Sequence, residues 1–317
     1  AEDGIRDVER SRGLGDVYKR QCPDVPDIDD LFRTPDHAIS RITDKMRIVT
    51  PSGRALEYQF GGIVLDRVAH DEALVELASS AGVEYLLDSW VEDVVDNTVI
   101  LRGGERLEGR VIVGAGGHND PIRKNHWKDE SLNIPVKFVL KEASPTDSVE
   151  LHFGSVAPGG YAWVFPKQGH SNIGLGIQRR IAGGRSLNQY AEDFISKYEG
   201  DVTFRGAGSL PMSGTIDSFV KGKYLLVGDA AGMVLPSNGA GITIAMIGGR
   251  IAGQVIVEHL RDGIPLDEYE TRWENQMGRV MRNSKRAFRF GSIMLSLIHI
   301  SEPTRPLYIS YAVFCLK

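Results

Sequence analysis

Tyr224-Leu225-Leu226-Val227-Gly228-Asp229-Ala230-Ala231-Gly232 decides how the rest of this 317-residue chain is read. An apolar run stops at a Gly-Asp turn. Pro236-Ser237-Asn238-Gly239-Ala240-Gly241-Ile242 follows, and then a segment rich in small residues: Ala245, Gly248, Gly249 and Ala252. The pattern predicts a strand, an acid-bearing turn, a glycine-rich loop and a helix from Gly241 to Arg261. That order suits a definite ligand chemistry. The Asp229 carboxylate can accept hydrogen bonds from a polyol. Glycines let backbone N–H groups approach a ligand with no side chain between. The helix N-terminus favours negative charge.

Upstream, Val111-Ile112-Val113-Gly114-Ala115-Gly116-Gly117 reads as a buried strand entering a second glycine-rich turn. Before it stand predicted strands at Val83–Leu87 and Val91–Val95, and a hairpin over Val99–Arg102 and Arg106–Glu108. A helix is predicted from Ala69 to Ala81, with Ala73, Leu74, Leu77 and Ala78 at helical spacing and Gly82 placed to end it. Between about Ile134 and Leu210 the character changes. Short β-like runs alternate with turns, and one helix interrupts them near Leu187–Tyr198. The α/β pattern returns at Tyr224, with a last helix expected over Leu266–Phe290. One discontinuous domain therefore holds a β-rich insert.

The insert carries Tyr161-Ala162-Trp163-Val164-Phe165-Pro166 and then Gly174-Leu175-Gly176. On a strand, Tyr161, Trp163 and Phe165 point to one face. Three aromatics in a row make a broad apolar wall. The glycines leave room for close approach to the sheet.

These motifs together resemble the geranylgeranyl reductase branch of the flavoprotein hydroxylase superfamily, and the wording Pro236–Ile242 resembles its archaeal-type members. The resemblance implies an α/β fold: an incomplete FAD-binding Rossmann-like domain with an inserted antiparallel β-sheet substrate domain. It implies FAD as cofactor. Asp229 would contact the ribityl chain, with the backbone of Gly239, Gly241 and Ile242 beside the flavin ring. Leu65-Asp66-Arg67-Val68-Ala69-His70-Asp71 resembles the family's Arg-bearing segment, so Arg67 would meet the pyrophosphate, where a permanent guanidinium charge is useful. A backbone contact near Val91 carries over in the same way. Gly116 stands where the family has an Asp, so no side-chain contact is expected there. Tyr161, Trp163, Phe165, Pro166, Gly174 and Gly176 would line a cavity for a polyprenyl lipid substrate. The implied activity is saturation of C=C bonds in geranylgeranyl chains, in ether phospholipid biosynthesis. A nicotinamide or a ferredoxin would supply electrons. The alternatives are an aromatic monooxygenase or halogenase sharing the Gly-Asp motif, and an inert fragment unable to hold FAD.

No catalytic side chain or proton donor stands out. The eight histidines form no metal-ligand pattern, and Arg123-Lys124 reads as a solvated turn. The net charge of −5 argues against a nucleic-acid partner. Cys22 and Cys315 offer no Cys-based metal cluster. A cytoplasmic location follows as an expectation, with peripheral membrane contact left open.

Both ends read as translated DNA adapter. Ser11–Gln21 and Leu295–Arg305 are translations of reverse-complementary DNA, as are Ala1–Asp7 and Ile309–Cys315. The expected organisation is therefore 1–21 non-native, 22–130 the first FAD-binding part without its opening βαβ unit, 131–215 the substrate domain, 216–262 the second FAD-binding part, 263–294 a helical segment, and 295–317 non-native. Cys22–Asp36, acidic and proline-containing, is expected to be a surface connection.

Overall fold

The computed structural model describes residues 17–18, 32–127, 131–143 and 145–298. They form two compact units, one built on Tyr85–Asn133 and Leu210–Phe288, the other on 32–84 and Ile134–Ser209. Most of the two adapter-like ends, and residues 22–31 of the expected surface connection, lie outside the described residues.

In the first unit, Tyr224–Leu226 runs parallel to Ile112–Gly114, with Leu225 opposite Val113. Val220–Lys221 flanks it on the other side. Leu225 and Leu226 are fully buried, as a parallel strand covered on both faces requires. The helix Ile242–Asp262 turns Ile244, Ile247, Ile251 and Val255 inward at helical spacing. Gly248 keeps that face thin. A Cβ there would sit 2.6 Å from Met233 Sδ and 3.4 Å from the Trp273 ring edge. The single helix expected over Leu266–Phe290 is divided into Glu268–Trp273, a π-helical turn Glu274–Gly278, and Arg279–Ile298. The widened turn keeps Trp273, Met277 and Met281 all buried. Val91–Val95, Thr98–Leu101 and Arg106–Glu108 make a small antiparallel sheet.

Val83–Leu87 is not a strand. Val83, Tyr85, Leu86 and Leu87 are all exposed, and among the described residues no strand pairs with them. Apolar composition predicts a strand only where an edge is offered.

The second unit is an eight-stranded sheet in the order 17–18, 55–65, 39–49, 149–152, 162–166, 171–176, 133–141, 202–211. Its first part is a long hairpin, Ile39–Val49 with Ala55–Leu65. The sequence groups this stretch with 22–130, whereas its strand 39–49 pairs in parallel with 149–152, matching Ile48 to Leu151. One face of the sheet sets Val139, Ala162, Val164, Ile173 and Leu175 against Tyr190, Ala191 and Phe194 of the helix Leu187–Ile195. That helix opens on a capping box, Ser186 with Gln189. The helix Arg67–Ser80 starts at the Asp66 carboxylate, which accepts from the N–H groups of Val68 and Ala69 at 3.0 and 3.3 Å. It ends in a Schellman pair: Gly82, at φ 92°, donates to Ser79, and Val83 donates to Ala78.

Glu150 is a buried acid on the helix-covered face. It accepts from Arg47 Nη1 at 2.8 Å and contacts His152 Nε2 at 3.1 Å. Burial pushes its carboxyl up, but the hydrogen bonds from His152 and Arg47 and the Arg47 charge outweigh it, and the net shift is downward. A carboxyl depressed in the folded state contributes stability that is complete above the ordinary value of 4.5 and is lost as pH falls through the folded value. Urea unfolding at pH 7 and below pH 4.5 is expected to show this loss, and Glu150→Gln is expected to flatten the slope. An unchanged slope in the variant would place the acid sensitivity elsewhere.

Among the described residues, no helix is long and apolar enough to cross a membrane.

Candidate functional site

In the first unit the Gly-Asp element is built as follows. The strand ends at Leu226, and the N–H of the next residue, Val227, donates to the Gly114 carbonyl at 3.0 Å. Gly228–Ala231 forms a 3-10 turn, and Met233 N–H returns to the Gly228 carbonyl at 2.9 Å. The loop Leu235–Ala240 closes on itself. Gly239 and Ala240 are tied to it by Gly239 N–H to the Leu235 carbonyl at 2.8 Å and Leu235 N–H to the Ala240 carbonyl at 2.9 Å. Gly239 has φ 74°, a conformation that costs a Cβ-bearing residue energy. Gly241 is the N-cap of the long helix and supplies no capping side chain. Its absent Cβ leaves the Asp229 carboxylate close by: an added Cβ would stand 3.5 Å from Oδ1. Asp229, Gly241 and Ile242 therefore meet at one place, a half-buried carboxylate beside the first amide groups of a 21-residue helix. The carboxylate accepts from hydroxyls, and the amides face incoming negative charge. Val91 opens the strand 91–95 opposite Leu101.

Two residues that support the element escape a reading of the sequence. Arg123 is not a solvated turn residue. It is 5 % exposed. Its Nη1 donates to the Asp229 carbonyl at 3.2 Å and its Nη2 to Ser131 Oγ at 2.7 Å. Only Lys124 of the pair is exposed. The acid missing at Gly116 has a neighbour in space. Asp120 is buried and accepts from Gly116 N–H at 2.8 Å and Arg123 N–H at 3.1 Å. The signal available was Asp120-Pro121, an N-cap followed by proline in the first turn of the helix Pro121–His126. Burial and the charges of Arg123 and Lys124 hold His118 below its ordinary value, so it is neutral at pH 7. Arg123→Met is expected to destabilise the protein by about 2–3 kcal/mol, because buried acceptors lose a charged donor. Denaturant unfolding measures this; a change under about 0.5 kcal/mol, the ordinary surface value, would contradict it.

In the second unit, Arg67 is the first residue of the helix Arg67–Ser80. Its guanidinium grips Asp71 through Nη2 at 3.0 Å. Asp71 also contacts His70 Nδ1 at 3.2 Å. Burial raises the Asp71 carboxyl, but His70 and Arg67 outweigh it and keep it ionised. His70 is 1 % exposed, and its Nε2 has no hydrogen-bond partner. Arg67 is thus held in one orientation by its own helix.

The aromatic row is also in this unit. The centroids of Tyr161 and Trp163 are 6.0 Å apart, and those of Trp163 and Phe165 are 5.9 Å apart, the latter stacked at 23°. Phe153 extends the row beside Tyr161 at 5.9 Å. Trp163 Nε1 donates to Asn172 Oδ1 at 3.0 Å, which fixes the indole. Burial pushes the Tyr161 phenol up to about 12, so it stays neutral. Gly174 lies opposite Trp163 across the strands. A Cβ at Gly174 would stand 2.5 Å from Phe138 Cβ and 2.6 Å from both the Lys137 carbonyl and the Trp163 ring. At Gly176 it would stand 2.9 Å from Val136 Cγ1. The room at these glycines is filled by the protein's own Phe138, Trp163 and Val136 side chains. Pro166 ends the strand opposite Ser171.

Among the described residues, no group of three or more His, Cys, Asp or Glu side chains is placed to hold a metal ion.

Residues 132–207, which contain the aromatic row and both glycines, match the family model of the geranylgeranyl reductase catalytic domain. The chain is 32 % identical over 266 residues to digeranylgeranylglycerophospholipid reductase 1 of Methanococcoides burtonii, an alignment covering 75 % of this chain and 65 % of that protein. It is 32 % identical over 260 residues to the geranylgeranyl diphosphate reductase of Rhodobacter capsulatus, covering 74 % and 65 %. The chain thus spans about 65 % of the length of these relatives. Among solved structures, a geranylgeranyl bacteriochlorophyll reductase-like protein from Thermoplasma acidophilum superposes with TM-score 0.75 at 21 % identity, covering 91 % of this chain and 82 % of that one. PqsL of Pseudomonas aeruginosa, a probable FAD-dependent monooxygenase, gives 0.58 at 15 % identity, covering 82 % and 79 %. The fold is therefore the mixed α/β, Rossmann-like architecture of these two structures. With its match centred on the strands that carry Trp163 and Gly174, the segment 132–207 is a geranylgeranyl reductase catalytic domain.

Proposed function

We propose that this chain acts in an FAD-dependent reductase that saturates C=C bonds of geranylgeranyl chains on membrane ether phospholipids. The observation that carries this reading is the Tyr161–Trp163–Phe165 row inside the matched catalytic domain, with Tyr161 edge-on to Trp163, and Trp163 stacked on Phe165 and packed against Gly174. A water-excluding row of aromatic side chains suits an apolar polyprenyl chain.

The residues present fit a flavin. Asp229 would accept hydrogen bonds from the ribityl hydroxyls, and the backbone at Gly239, Gly241 and Ile242 would lie along the ring. The helix N-terminus beside Asp229, opened by Gly241, would supply amides where the ring develops negative charge. Arg67, held by Asp71, would pair with the pyrophosphate, and the backbone at Val91 would make a further contact. A flavin held there would supply the hydride chemistry, with its electrons coming from a nicotinamide or a ferredoxin. The protein's part is to orient the prenyl chain along Tyr161, Trp163, Phe165 and Pro166 and to keep water away. Gly174 and Gly176 let that wall lie close on the sheet.

The test is product mass. The chain is saturated with FAD, reduced by dithionite without oxygen, and given a geranylgeranyl ether phospholipid. A gain of two hydrogens per double bond is the expected result. An unchanged lipid mass at saturating FAD would refute the reading.

A further inference from the structure

We infer that Arg179 and Arg180 form a subsite for the phosphate group of a phosphorylated prenyl substrate, at the Tyr161 end of the aromatic row. The inference deepens the proposed function and rests on it for the prenyl part of the ligand. The sequence already sets this stretch apart. Residues 151–191 contain no Asp or Glu, although 42 of the chain's 317 residues are acidic. The strands Ala162–Pro166 and Ser171–Gly176 and the turn after them all lie in this span, so none of them carries a carboxylate to oppose an anion.

The fold fastens that turn beside Tyr161. Gly176 N–H donates to the Tyr161 carbonyl at 3.1 Å. Gln178 then donates its N–H to the Pro158 carbonyl at 2.9 Å and its Nε2 to the Gly159 carbonyl at 3.0 Å. Arg179–Ile181 is one 3-10 turn. A Cβ at Gly159 would stand 2.5 Å from Ile181 Cδ1, so Ile181 lies on the residue two before Tyr161. On the far side, the carbonyl of buried Ala182 accepts from the Tyr190 hydroxyl at 3.0 Å. The turn is thus held at both ends, while the two guanidiniums it carries are not. Arg179 and Arg180 are exposed, and among the described residues neither side chain has a hydrogen bond or an ion pair. Arg185 is the contrast, since it is ion-paired with Asp193 and lies over the Tyr190 ring. Permanently charged guanidiniums match phosphate oxygens in geometry as well as in charge. A prenyl phosphate is apolar along its chain and anionic at one end. The row and the turn offer these two properties in the same order.

The experiment is calorimetric titration of the 317-residue chain with geranylgeranyl monophosphate, with geranylgeraniol and with inorganic phosphate, the prenyl compounds below their micelle concentrations. The prenyl phosphate is expected to bind about tenfold more tightly than the alcohol, the size of two exposed charge pairs, and salt should narrow the gap. Arg179→Gln/Arg180→Gln should bring the prenyl phosphate down to the affinity of the alcohol and leave the alcohol unchanged, which also reports an intact fold. Arg102→Gln/Arg106→Gln, outside this unit, should bind all three as the wild type does. Retention of the gap by the Arg179→Gln/Arg180→Gln variant would overturn the inference. So would its loss of the alcohol together with the phosphate, since the arginines would then act on the wall. Inorganic phosphate binding as tightly as the prenyl phosphate would make this a site for the free ion and overturn it too. Equal wild-type affinities for alcohol and prenyl phosphate would overturn the inference and leave the prenyl reading standing, whereas no binding of either prenyl compound would overturn both.

Discussion

Replacing Gly174 with alanine is expected to destabilise the protein by about 3 kcal/mol, the upper part of the range for overpacking a filled core. The added Cβ meets the Phe138 Cβ at 2.5 Å and the Lys137 carbonyl at 2.6 Å. Neither can move without shifting the strand Asn133–Lys141. The Trp163 ring, also at 2.6 Å, can tilt, but tilting strains its hydrogen bond to Asn172 and its stack on Phe165. Two readouts follow from this one change. Urea unfolding should show the lost stability, and tryptophan emission should shift as the indole leaves its buried position. Exposed Gly61 is a control, since an added Cβ there meets nothing within 4 Å. A Gly174→Ala protein with wild-type stability and emission would mean that the aromatic wall is not set by this glycine.

Asp229→Ala is expected to weaken FAD binding by about tenfold to a hundredfold, the equivalent of losing one hydrogen-bonding charged group. The effect should fall on affinity rather than on folding. Arg123 holds the Asp229 carbonyl, an anchor of the turn that remains when the side chain is shortened. Asp229→Asn, which retains an acceptor oxygen, should lie between the two. Quenching of flavin fluorescence during titration gives all three dissociation constants. Equal constants for wild type and Asp229→Ala would remove the carboxylate from the cofactor site.

The residues show why part of this was legible in the sequence. The strand Tyr224–Leu226 and the helix Ile242–Asp262 are local structures, and the glycines and the acid between them have few other uses. The alternation Tyr161, Trp163, Phe165 places three rings on one face wherever that strand lies. Long-range pairing is a different matter. Nothing in residues 39–49 announces a parallel partner at 149–152. Val83–Leu87 has the composition of a strand but lacks a described edge to join. Arg123 reads as solvated because it adjoins Lys124, yet a short helix sends the two side chains in different directions. Asp120 holds the Gly116 N–H from four residues away, and only the folded chain reveals that.

The measurement that tests the central claim most directly is reoxidation of bound flavin by lipid. FAD-loaded chain is pre-reduced, and its absorbance is followed after mixing, without oxygen, with a geranylgeranyl ether phospholipid or its saturated counterpart. Reoxidation by the unsaturated lipid alone is the expected result. Flavin that stays reduced with both lipids, and is reoxidised only when oxygen is admitted together with an aromatic compound that gains oxygen, would contradict the account and assign the chain an oxygenase chemistry.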